Sequence, residues 1–375
     1  MNILYGVPGE GLGHATRSKV VIGHLLAQGH QVCVVSSSRA YQMLAVAFPG
    51  RVHEIRGFHL AYRGLAVSKA RTAVLTLRTA PDDLRINFAK YRDLLCDFKP
   101  ELIISDFESF SYLFAKINRL PIISIDNMQI ISRTKLNVTV PKAERGNHSL
   151  ARNIVRAKLP RSRHYFVATF FDLPLIKPDT TLVPPIIRSE ILAATPTRGG
   201  HVLVYQSATT QQNLIPLLQQ LPDQQFRVYG FNKDEDHGNV QLRAFSEAGF
   251  IADLASCRAV VTNGGFSLIS EAVYLQKPIC AVPIPAQFEQ WLNAAEVEKM
   301  GYGRHFAAIT ADGLRAFLYG LAGFETALAS YRQQGNEVLF GRLDAELALL
   351  SGNEKPTPRL AKAGGPVLPS FPMAH

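Results

Sequence analysis

The sequence has few cysteines and no long apolar run. Its 375 residues include four cysteines, with no CxxC pair or other metal-binding spacing: Cys33, Cys96, Cys257 and Cys280. Cysteines scattered through apolar segments predict reduced core thiols rather than a disulfide framework. No apolar stretch approaches the roughly 20 residues that a membrane-spanning helix needs. The start, MNILYGV, lacks the basic residues of a signal peptide. We therefore expect a cytoplasmic protein, and we expect any membrane contact to be peripheral and at the inner face.

Acidic residues are scarce in the first half of the chain. Residues 1–185 contain 25 Lys and Arg against 13 Asp and Glu, whereas the remainder contains 15 against 17. The basic excess is concentrated in two apolar-interleaved segments, 60–98 and 133–163, which we expect to be helical. Such segments suit an anionic membrane surface, a soluble anionic acceptor or a solvated helical face. Nucleic acid is disfavoured, because aromatic residues are not interleaved for stacking and no recognition motif is present.

The length and the pattern of elements predict two domains. A chain of 375 residues is long for one core, and strands that alternate with helices indicate an α/β protein with parallel sheets. The Pro- and Thr-rich stretch 183–200 predicts a linker between an N-terminal domain, 1–182, and a C-terminal domain, 201–350. Residues 351–375 predict a disordered tail, because Pro and Gly are frequent there.

The stretch 259–301 carries the clearest indication of chemistry. Residues 259–262 predict a buried strand, and the Asn-Gly-Gly turn at 263–265 lets the backbone approach a ligand closely. A helix with an apolar stripe follows over 266–275. Further on, residues 279–284 predict another strand and a helix is expected from near Trp291.

A helix that begins directly after a glycine turn can hold a phosphate. Its first N–H groups have no partner within the helix and carry a partial positive charge. Ser267 adds a hydroxyl, and Glu271 lies one turn further on the same face, where it can accept hydrogen bonds from a sugar diol. The pattern therefore suits the diphosphate and ribose of a nucleotide. An ordinary βαβ unit with a tight turn is the alternative.

Three short motifs in this stretch resemble a known family. NGGFSLISE, KPICAVPIP and FEQWLNA follow one another within 263–294. Their order resembles the donor-binding signature of GT-B nucleotide-sugar glycosyltransferases, above all the UDP-glycosyltransferases of small-molecule metabolism and the GlcNAc transferase that completes the lipid-linked peptidoglycan precursor. The resemblance implies two Rossmann-like domains that face each other across a cleft and bind a UDP-sugar as co-substrate.

The resemblance also implies which residues bind the donor. In that family the turn and helix start hold the diphosphate, the helix Glu holds the ribose, an acidic-Gln pair holds the sugar, and an apolar element contacts the base. The corresponding positions are Gln206, Ser207, Phe250, Ile251, Asn263, Gly264, Gly265, Phe266, Ser267, Glu271, Glu289 and Gln290. The sequence departs from the pattern at Asn263, where many members have His or Arg.

The first strand and its glycine turn, GEGLGH, are expected to serve the acceptor. The glycines do not have the GxGxxG spacing, and no acidic residue ends the second strand, so an NAD site is disfavoured. Ser37, Ser38 and Arg39 could suit the 2′-phosphate of NADP, which leaves an NADP-dependent oxidoreductase as an alternative. In the resembled family a His at the position of His14 is the general base on the acceptor hydroxyl.

His14 needs a partner to orient it and to stabilise its protonated form. Asp106 follows a predicted buried strand, 102–105, and resembles the Asp of the family's His-Asp dyad. Two plainer interpretations remain: His14 contacts the donor phosphate, and Asp106 caps the helix that begins near Ser109. Four more residues are expected to line the acceptor side of the cleft: Gly11, Gly13, Asn127 and Gln129. Asn127 and Gln129 follow a core strand and could equally be polar caps of its end.

The predicted function is inverting transfer of a sugar to an acceptor hydroxyl or amine, with no cofactor and no metal. The N-terminal basic excess makes a lipid or lipid-linked acceptor one expectation and a soluble one the other. A GT-B fold does not by itself prove catalysis. The alternative is a catalytically silent nucleotide-sugar sensor, or a membrane-anchoring partner of another transferase.

Overall fold

The computed structural model describes residues 1–9, 11–56, 62–63, 66–67, 86–87, 91, 97–206 and 213–352. Most of the basic segment 60–98 lies outside these residues, and so do Ser207, Cys96 and residues 353–375 of the predicted tail. None of the described helices is both long and apolar enough to cross a membrane.

Strands from the first half of the chain form a parallel sheet and a small separate hairpin. Their bounds are β1 Asn2–Gly6, β2 Gln31–Ser36, β3 Val52–Glu54, β4 Tyr62–Arg63, β5 Ala66–Val67, β6 Leu102–Ser105, β7 Ile122–Asp126, β8 His164–Ala168 and β9 Thr180–Val183. The sheet has the order β3-β2-β1-β6-β7-β8-β9, and β4 and β5 form the antiparallel hairpin. In the register, Leu4 of β1 lies between Cys33 and Ile103. The central strands are buried on both faces, which explains their almost wholly apolar sequences.

The second sheet is built in the same way from later strands. Their bounds are β10 His201–Tyr205, β11 Gln225–Tyr229, β12 Glu235–His237, β13 Val240–Arg243, β14 Ala259–Thr262, β15 Ile279–Ala281 and β16 Gly303–His305. The order is β12-β13-β11-β10-β14-β15-β16, and only β12 runs antiparallel to its neighbour. Two parallel sheets with helices between their strands confirm the predicted α/β class. The carboxyl ends of β10 and β14, where parallel sheets present functional groups, lie next to each other.

Thirteen α-helices are described in these parts of the chain, together with a 3₁₀ turn at Lys142–Glu144. Their bounds are α1 Leu12–Ala27, α2 Ser38–Ala47, α3 Ser109–Asn118, α4 Ile130–Arg133, α5 Arg145–Lys158, α6 Ser189–Leu192, α7 Leu214–Leu218, α8 Glu247–Ser256, α9 Phe266–Tyr274, α10 Phe288–Lys299, α11 Ala311–Tyr319, α12 Leu321–Leu328 and α13 Glu337–Leu350.

Two predicted boundaries near the donor motif are wrong. The strand expected over 279–284 ends at Ala281, because Pro283 and Pro285 have no N–H to donate to a neighbouring strand. The helix expected from near Trp291 begins at Phe288. The residues predicted to hold the donor sugar therefore lie in the first turn of α10 rather than in a loop. The segment 133–163, expected to be helical, holds the 3₁₀ turn and α5 between irregular stretches.

The last described helix, α13, packs against α1, which belongs to the layer of the first sheet. The sequence assigned α13 to the C-terminal domain, 201–350. His24 of α1 lies with its Nε2 2.8 Å from Asp344 Oδ1 and stacks on Phe340 at 3.9 Å between ring centroids. The apolar face of α13 is buried, through Leu339, Leu343 and Leu347. An amphipathic helix packs wherever its apolar stripe is covered, and here α1 contributes to that cover.

Candidate active site

Residues predicted for the acceptor side and for the donor side meet between α1 and α9. A Cβ built on Gly13 would stand 2.6 Å from Ser267 Oγ, so the two helix starts approach as closely as glycine permits. Nearby, Asn127 Nδ2 donates a hydrogen bond of 2.9 Å to Glu289 Oε1. The fold thus brings together pairs of residues that are more than 150 positions apart in the chain.

His14 and Asp106 are in contact. His14 stands in the first turn of α1, Asp106 follows β6, and β1 and β6 are neighbours in the sheet. The distance from His14 Nδ1 to Asp106 Oδ1 is 3.0 Å. Burial lowers the pKa of His14, with Arg17 and Lys158 acting in the same direction and Asp106 opposing them. A neutral imidazole near pH 7 can accept a proton, which is what a general base requires.

Arg17 is the site residue that the sequence prediction missed. Its Nε donates to Asp106 Oδ2 at 2.8 Å, its NH2 makes a still shorter contact with Oδ1, and its NH1 donates to Asn127 Oδ1 at 2.6 Å. Burial raises the pKa of Asp106, but Arg17 and His14 outweigh it and hold that pKa well below its usual range. The sequence spacing could have pointed to Arg17, because it follows His14 by three positions and therefore lies on the same face of the helix.

Asp106 does not cap the helix that follows it, so that interpretation is wrong. Glu108 is the cap of α3: its Oε1 and Oε2 accept the backbone N–H groups of Phe110 and Ser111, each at 2.7 Å. Asp106, fully buried, instead accepts a hydrogen bond of 3.0 Å from the Ser18 hydroxyl. Both carboxylate oxygens of Asp106 therefore bind side chains of α1.

The acidic-Gln pair at the start of α10 makes hydrogen bonds within the protein. Asn293 Nδ2 donates to Glu289 Oε1 at 2.9 Å and to the carbonyl of Gly264 at 3.0 Å. Gln290 Oε1 accepts the backbone N–H of Ile284 at 2.9 Å. Burial raises the pKa of Glu289, while Asn293, Asn127 and Arg17 act against that rise. Both side chains are thus held in fixed orientations.

The two glycines of the turn, Gly264 and Gly265, differ in backbone conformation and in the space available for a side chain. Gly264 has φ +87°, and a Cβ there would stand 2.8 Å from the carbonyl oxygen of Gln290. Only glycine fits this conformation and this closeness. Gly265 has φ −63°, and no described atom lies within 4 Å of where its Cβ would be. The space beside the start of α9 is therefore open at Gly265.

Asn263 turns its side chain to the carbonyl of Val282, at 3.3 Å.

Glu271 is buried and paired with a cation from the predicted linker. Arg188 NH2 donates to Glu271 Oε2 at 2.8 Å. Arg188 Nε also lies 2.8 Å from Oε1, but its N–H is not directed at that oxygen, so this second contact is one of charge. Burial raises the pKa of Glu271 and Arg188 lowers it. Glu247 receives a hydrogen bond from Arg188 NH1 at 3.0 Å.

Two buried amides have polar atoms without a hydrogen-bond partner in the described chain. They are both side-chain atoms of Gln206, at the end of β10, and Nε2 of Gln129, after β7. Buried polar groups in proteins are nearly always paired, because an unpaired one costs about 1–3 kcal/mol. These amides therefore have hydrogen-bonding capacity that no described group uses.

Phe250 and Ile251, the apolar pair expected to contact the base, lie on α8. Phe250 is buried and makes edge contacts with Tyr205 and Tyr229, at 5.6 and 5.1 Å between centroids. Its tilted neighbour Phe245, at 6.2 Å, is 49% exposed, and Tyr205 is 39% exposed. The exposed aromatic rings at this edge are thus Tyr205 and Phe245, which the motif comparison did not single out.

Within the described residues, no group of three or more His, Cys, Asp or Glu is placed to hold a metal ion. Gly11, which precedes α1, has φ +82° and lies beside open space. The remaining predicted donor residue, Phe266, is buried at the start of α9, where its ring lies 6.1 Å from that of Phe170.

The proteins that this chain resembles are glycosyltransferases. An uncharacterised glycosyltransferase of Methanosarcina mazei is 25% identical over 328 residues, which cover 81% of this chain and 85% of that protein. Among solved structures, CalG4, the calicheamicin glycosyltransferase, is 16% identical with a TM-score of 0.64, over 95% of this chain and 100% of the other. Phytolacca americana UGT2, complexed with UDP-2-fluoro-glucose and pterostilbene, is 14% identical with a TM-score of 0.59, over 94% and 100%.

These structural similarities show that the fold is GT-B, as the motifs implied. The sequence profile of glycosyl transferase family 1 matches residues 1–322, which is most of the chain. This protein therefore belongs to glycosyl transferase family 1.

Proposed function

We propose that this glycosyltransferase moves a sugar from a UDP-sugar to an acceptor hydroxyl or amine, with inversion at the anomeric carbon. The observation that carries the proposal is the His14–Asp106 contact of 3.0 Å beside the close approach of α1 to the start of α9. This arrangement places a general base, His14, on one side of the cleft and the N-terminus of α9 on the other. The sensor alternative has no use for an oriented base.

The chemistry follows from the two sides of the cleft. With Nδ1–H donating to Asp106, the free Nε2 of His14 takes the proton of the acceptor. The acceptor oxygen or nitrogen forms a bond to the anomeric carbon while the bond from that carbon to the diphosphate breaks. The departing diphosphate keeps the electron pair. Backbone N–H groups at the start of α9 stabilise its charge, so the proposed mechanism requires no metal.

The donor is held by the second sheet in this proposal. The diphosphate lies against Gly265, beside which space is open, and next to the hydroxyl of Ser267. The unpaired amide of Gln206 receives a phosphate or sugar group, and Glu271, oriented by Arg188, accepts the ribose hydroxyls. The uracil ring of the nucleotide packs against Tyr205 or Phe245, the exposed aromatic rings beside Phe250. UDP is the first nucleotide to test because one structural neighbour was solved with UDP-2-fluoro-glucose.

A screen of UDP- and dTDP-sugars for thermal stabilisation tests the donor, followed by assay of nucleotide release with candidate acceptors. We expect stabilisation by UDP and by one or a few UDP-sugars. Stabilisation by no nucleotide at all contradicts the proposal. Binding without turnover, unchanged by His14→Gln, favours the sensor.

The acceptor is proposed to be lipid-linked and reached at an anionic membrane surface. Helix α5 exposes Leu150 and Ile154, at 41% and 48%, and of its fourteen residues only Val155 is buried. Its exposed arginines, Arg145, Arg152 and Arg156, form a separate strip, roughly 160° around the helix from Leu150 and Ile154 at about 100° per residue. The strip of three arginines suits the surface of an anionic bilayer by its charge.

This surface adjoins the cleft. His148 of α5 stacks on Phe288 at the start of α10, with 4.6 Å between the ring centroids. A membrane bound along α5 therefore lies next to the residues that would handle the donor sugar. A soluble anionic acceptor is the competing possibility, because the same arginines could attract it.

Vesicle sedimentation distinguishes the two acceptors. We expect binding to anionic vesicles, none to neutral ones, and weakening by salt. Reversing Arg145, Arg152 and Arg156 to Glu together should weaken partition at least about a hundredfold, because the three lost attractions of about 1 kcal/mol each already amount to about 3 kcal/mol before any repulsion by the new carboxylates. The matched control reverses three exposed arginines of the second half: Arg198, Arg304 and Arg315. Equal losses in both variants, or no partition at low salt, contradict the membrane proposal.

A further inference from the structure

The first turn of α10 packs onto the glycine turn that precedes α9. The carbonyl oxygen of Gln290 lies 2.8 Å from the position that a Cβ on Gly264 would take. Asn293 Nδ2 donates to the carbonyl of Gly264 at 3.0 Å and to Glu289 Oε1 at 2.9 Å, so one amide joins the turn to the carboxylate. The half-buried carboxylate of Glu289 therefore lies beside the turn where we place the diphosphate of the donor.

The start of α9 also acts on this carboxylate. The backbone N–H of Phe266, the first residue of α9, lowers the pKa of Glu289. Gly265 offers no side chain to cap α9, and the first turn of the helix contains no acidic residue. Because a helix N-terminus carries a partial positive charge, it attracts an anion, and Glu289 of α10 supplies one. A bound diphosphate would bring a second anion to the same helix end.

Glu289 has hydrogen-bond donors around it but little opposite charge. Asn127 and Asn293 are neutral amides, and both donate to Oε1. Arg17 also favours the ionised form, but its guanidinium is already paired with the buried carboxylate of Asp106. Burial raises the pKa of Glu289 in spite of these groups. A second anion nearby disfavours the ionised form still further.

Other ionisable groups on the elements that pack against α10 have partners of their own. They are His148 of α5, which stacks on Phe288, Glu271 of α9, which is paired with Arg188, and His305 of β16, which lies edge-on to Trp291. Of the two carboxylates near the glycine turn, Glu271 is thus matched by an arginine of its own and Glu289 is not. Glu289 is the one whose charge a bound anion would change more easily.

We propose that Glu289 takes up a proton from the solvent when the donor binds, and that it holds the diphosphate as a neutral acid. Oε1 already accepts two N–H groups, so the proton goes to Oε2. The O–H group at Oε2 then donates a hydrogen bond to a diphosphate oxygen, and the repulsion between the two anions is removed. This role rests on the proposed function, in which the start of α9 holds the diphosphate. It adds a contact to the sugar contact that the resemblance implies for Glu289.

Calorimetric titration with UDP measures the proton directly. At about pH 7, in buffers that differ in ionisation enthalpy, the heat of binding gives the number of protons taken up. UDP can itself exchange protons on binding, and Glu289→Gln provides the correction because Gln does not titrate. We expect the unaltered protein to take up more protons than Glu289→Gln, by up to about one per UDP. Glu298→Gln, at an exposed position of the same helix, is the matched control and should behave like the unaltered protein.

The affinity for UDP should depend on pH in the corresponding direction. Binding that takes up a proton weakens as the pH rises, by up to about tenfold for each pH unit above the pKa of Glu289 in the free protein. Gln is neutral and can both accept from the two amides and donate to the diphosphate. Glu289→Gln should therefore bind UDP about tenfold or more tightly than the unaltered protein at about pH 8, and the difference should shrink towards about pH 5. Glu289→Ala lacks the hydrogen bond and should bind UDP more weakly than Glu289→Gln.

Equal proton uptake in the unaltered protein and in Glu289→Gln overturns the proposal, and so does equal affinity for UDP at about pH 8. A carboxylate that only accepts hydrogen bonds from the transferred sugar would give that result, because UDP lacks this sugar. A merely structural Glu289 would lower the thermal midpoint in the variants without changing the uptake of protons. If Glu289→Gln does not fold, the ¹³C resonance of the Glu289 carboxyl reports its protonation in the unaltered protein, with and without UDP.

Failure of this role and failure of the proposed function have different signatures. If UDP does not bind at all, the donor site assigned above is wrong and the role of Glu289 is wrong with it. If UDP binds without a proton that depends on Glu289, only the role of Glu289 is wrong. If the proton is taken up but no acceptor is glycosylated, the role of Glu289 stands and the catalytic proposal fails.

Discussion

Arg188 meets the carboxylate of Glu271 with two of its nitrogens, each 2.8 Å from an oxygen. Arg188 comes from the segment that joins the sheets, and Glu271 from the helix predicted to hold the donor ribose. The carboxylate is less than a tenth exposed and would shed its charge in such a place without a partner. Arg188 thus keeps Glu271 able to accept hydrogen bonds from a diol.

Glu271→Ala should weaken UDP binding by about tenfold to a hundredfold, since a hydrogen bond to a charged group contributes about 1.5–3 kcal/mol. Titration calorimetry on the folded variant measures this. Glu247→Gln is the control, because it removes the charge of the outer partner of Arg188 and leaves Glu271 in place. Unchanged affinity in Glu271→Ala would remove Glu271 from the donor site.

His14→Gln should lower turnover by about 10²–10⁴-fold with little change in nucleotide affinity, because a general base acts in the transition state. Asp106→Asn should share the defect, and the double variant should be no worse than the poorer single one, since the two residues are in contact. Losses that multiply would show that they act independently. A loss of nucleotide affinity in His14→Gln would instead make His14 a phosphate ligand.

The pH dependence of kcat/KM should have its acid limb below 6.5. The base works when unprotonated, and burial lowers the pKa of His14 from the ordinary value of 6.5. Activity is therefore retained as the pH falls to 6.5 and is lost only at a lower pH. An acid midpoint at or above 6.5, absent in His14→Gln, would contradict a depressed pKa in the free enzyme.

The two glycines of the turn should respond differently to alanine. Gly264→Ala forces a side chain into φ +87° and against Gln290, so unfolding in urea should reveal a loss of about 1–3 kcal/mol. Gly265→Ala has an ordinary φ and open space, so stability should change by less than about 0.5 kcal/mol. UDP affinity should nevertheless fall about tenfold or more in Gly265→Ala, because the methyl group takes the space where we expect the phosphate. Equal stability of both variants would be unexpected.

Glu296→Gln should stabilise the protein at high pH only. Glu296 is buried on α10 without a partner for Oε1 among the described residues, and burial raises its pKa from 4.5 to about 7. The folded state holds the proton more tightly, so this contribution is complete below pH 4.5 and is lost as the pH rises through 7. The neutral Gln does not have this loss, so the free energy of unfolding of the variant should exceed that of the unaltered protein by up to about 3 kcal/mol at about pH 8 and by little at about pH 5.

Urea unfolding at the two pH values measures this difference. Glu298→Gln, at an exposed position of the same helix, is the control and should change the stability little at either pH. A gain from Glu296→Gln that is the same at both pH values would show that ionisation of Glu296 is not its cause.

Local patterns in the sequence were sufficient for the strand and the helix start that flank the glycine turn. The strand at 259–262 and the start of α9 follow from residues that are adjacent in the chain, since β-branched runs, glycine turns and helical spacing act over a few positions. The same holds for β6 with Asp106 at its end. Once these elements were identified, the order of the motifs led to the two-sheet fold and to the family.

Contacts between distant parts of the chain were decided by the tertiary structure alone. Arg17 binds Asp106 across 89 positions and Asn127 across 110, and Arg188 binds Glu271 across 83. Nothing in a local pattern distinguishes a buried arginine from a solvated one, because burial depends on which elements later pack over it. The contact of α13 with α1 could not be predicted for the same reason. The sequence of an amphipathic helix shows which of its faces is buried, but the packing of the whole chain decides which element covers that face.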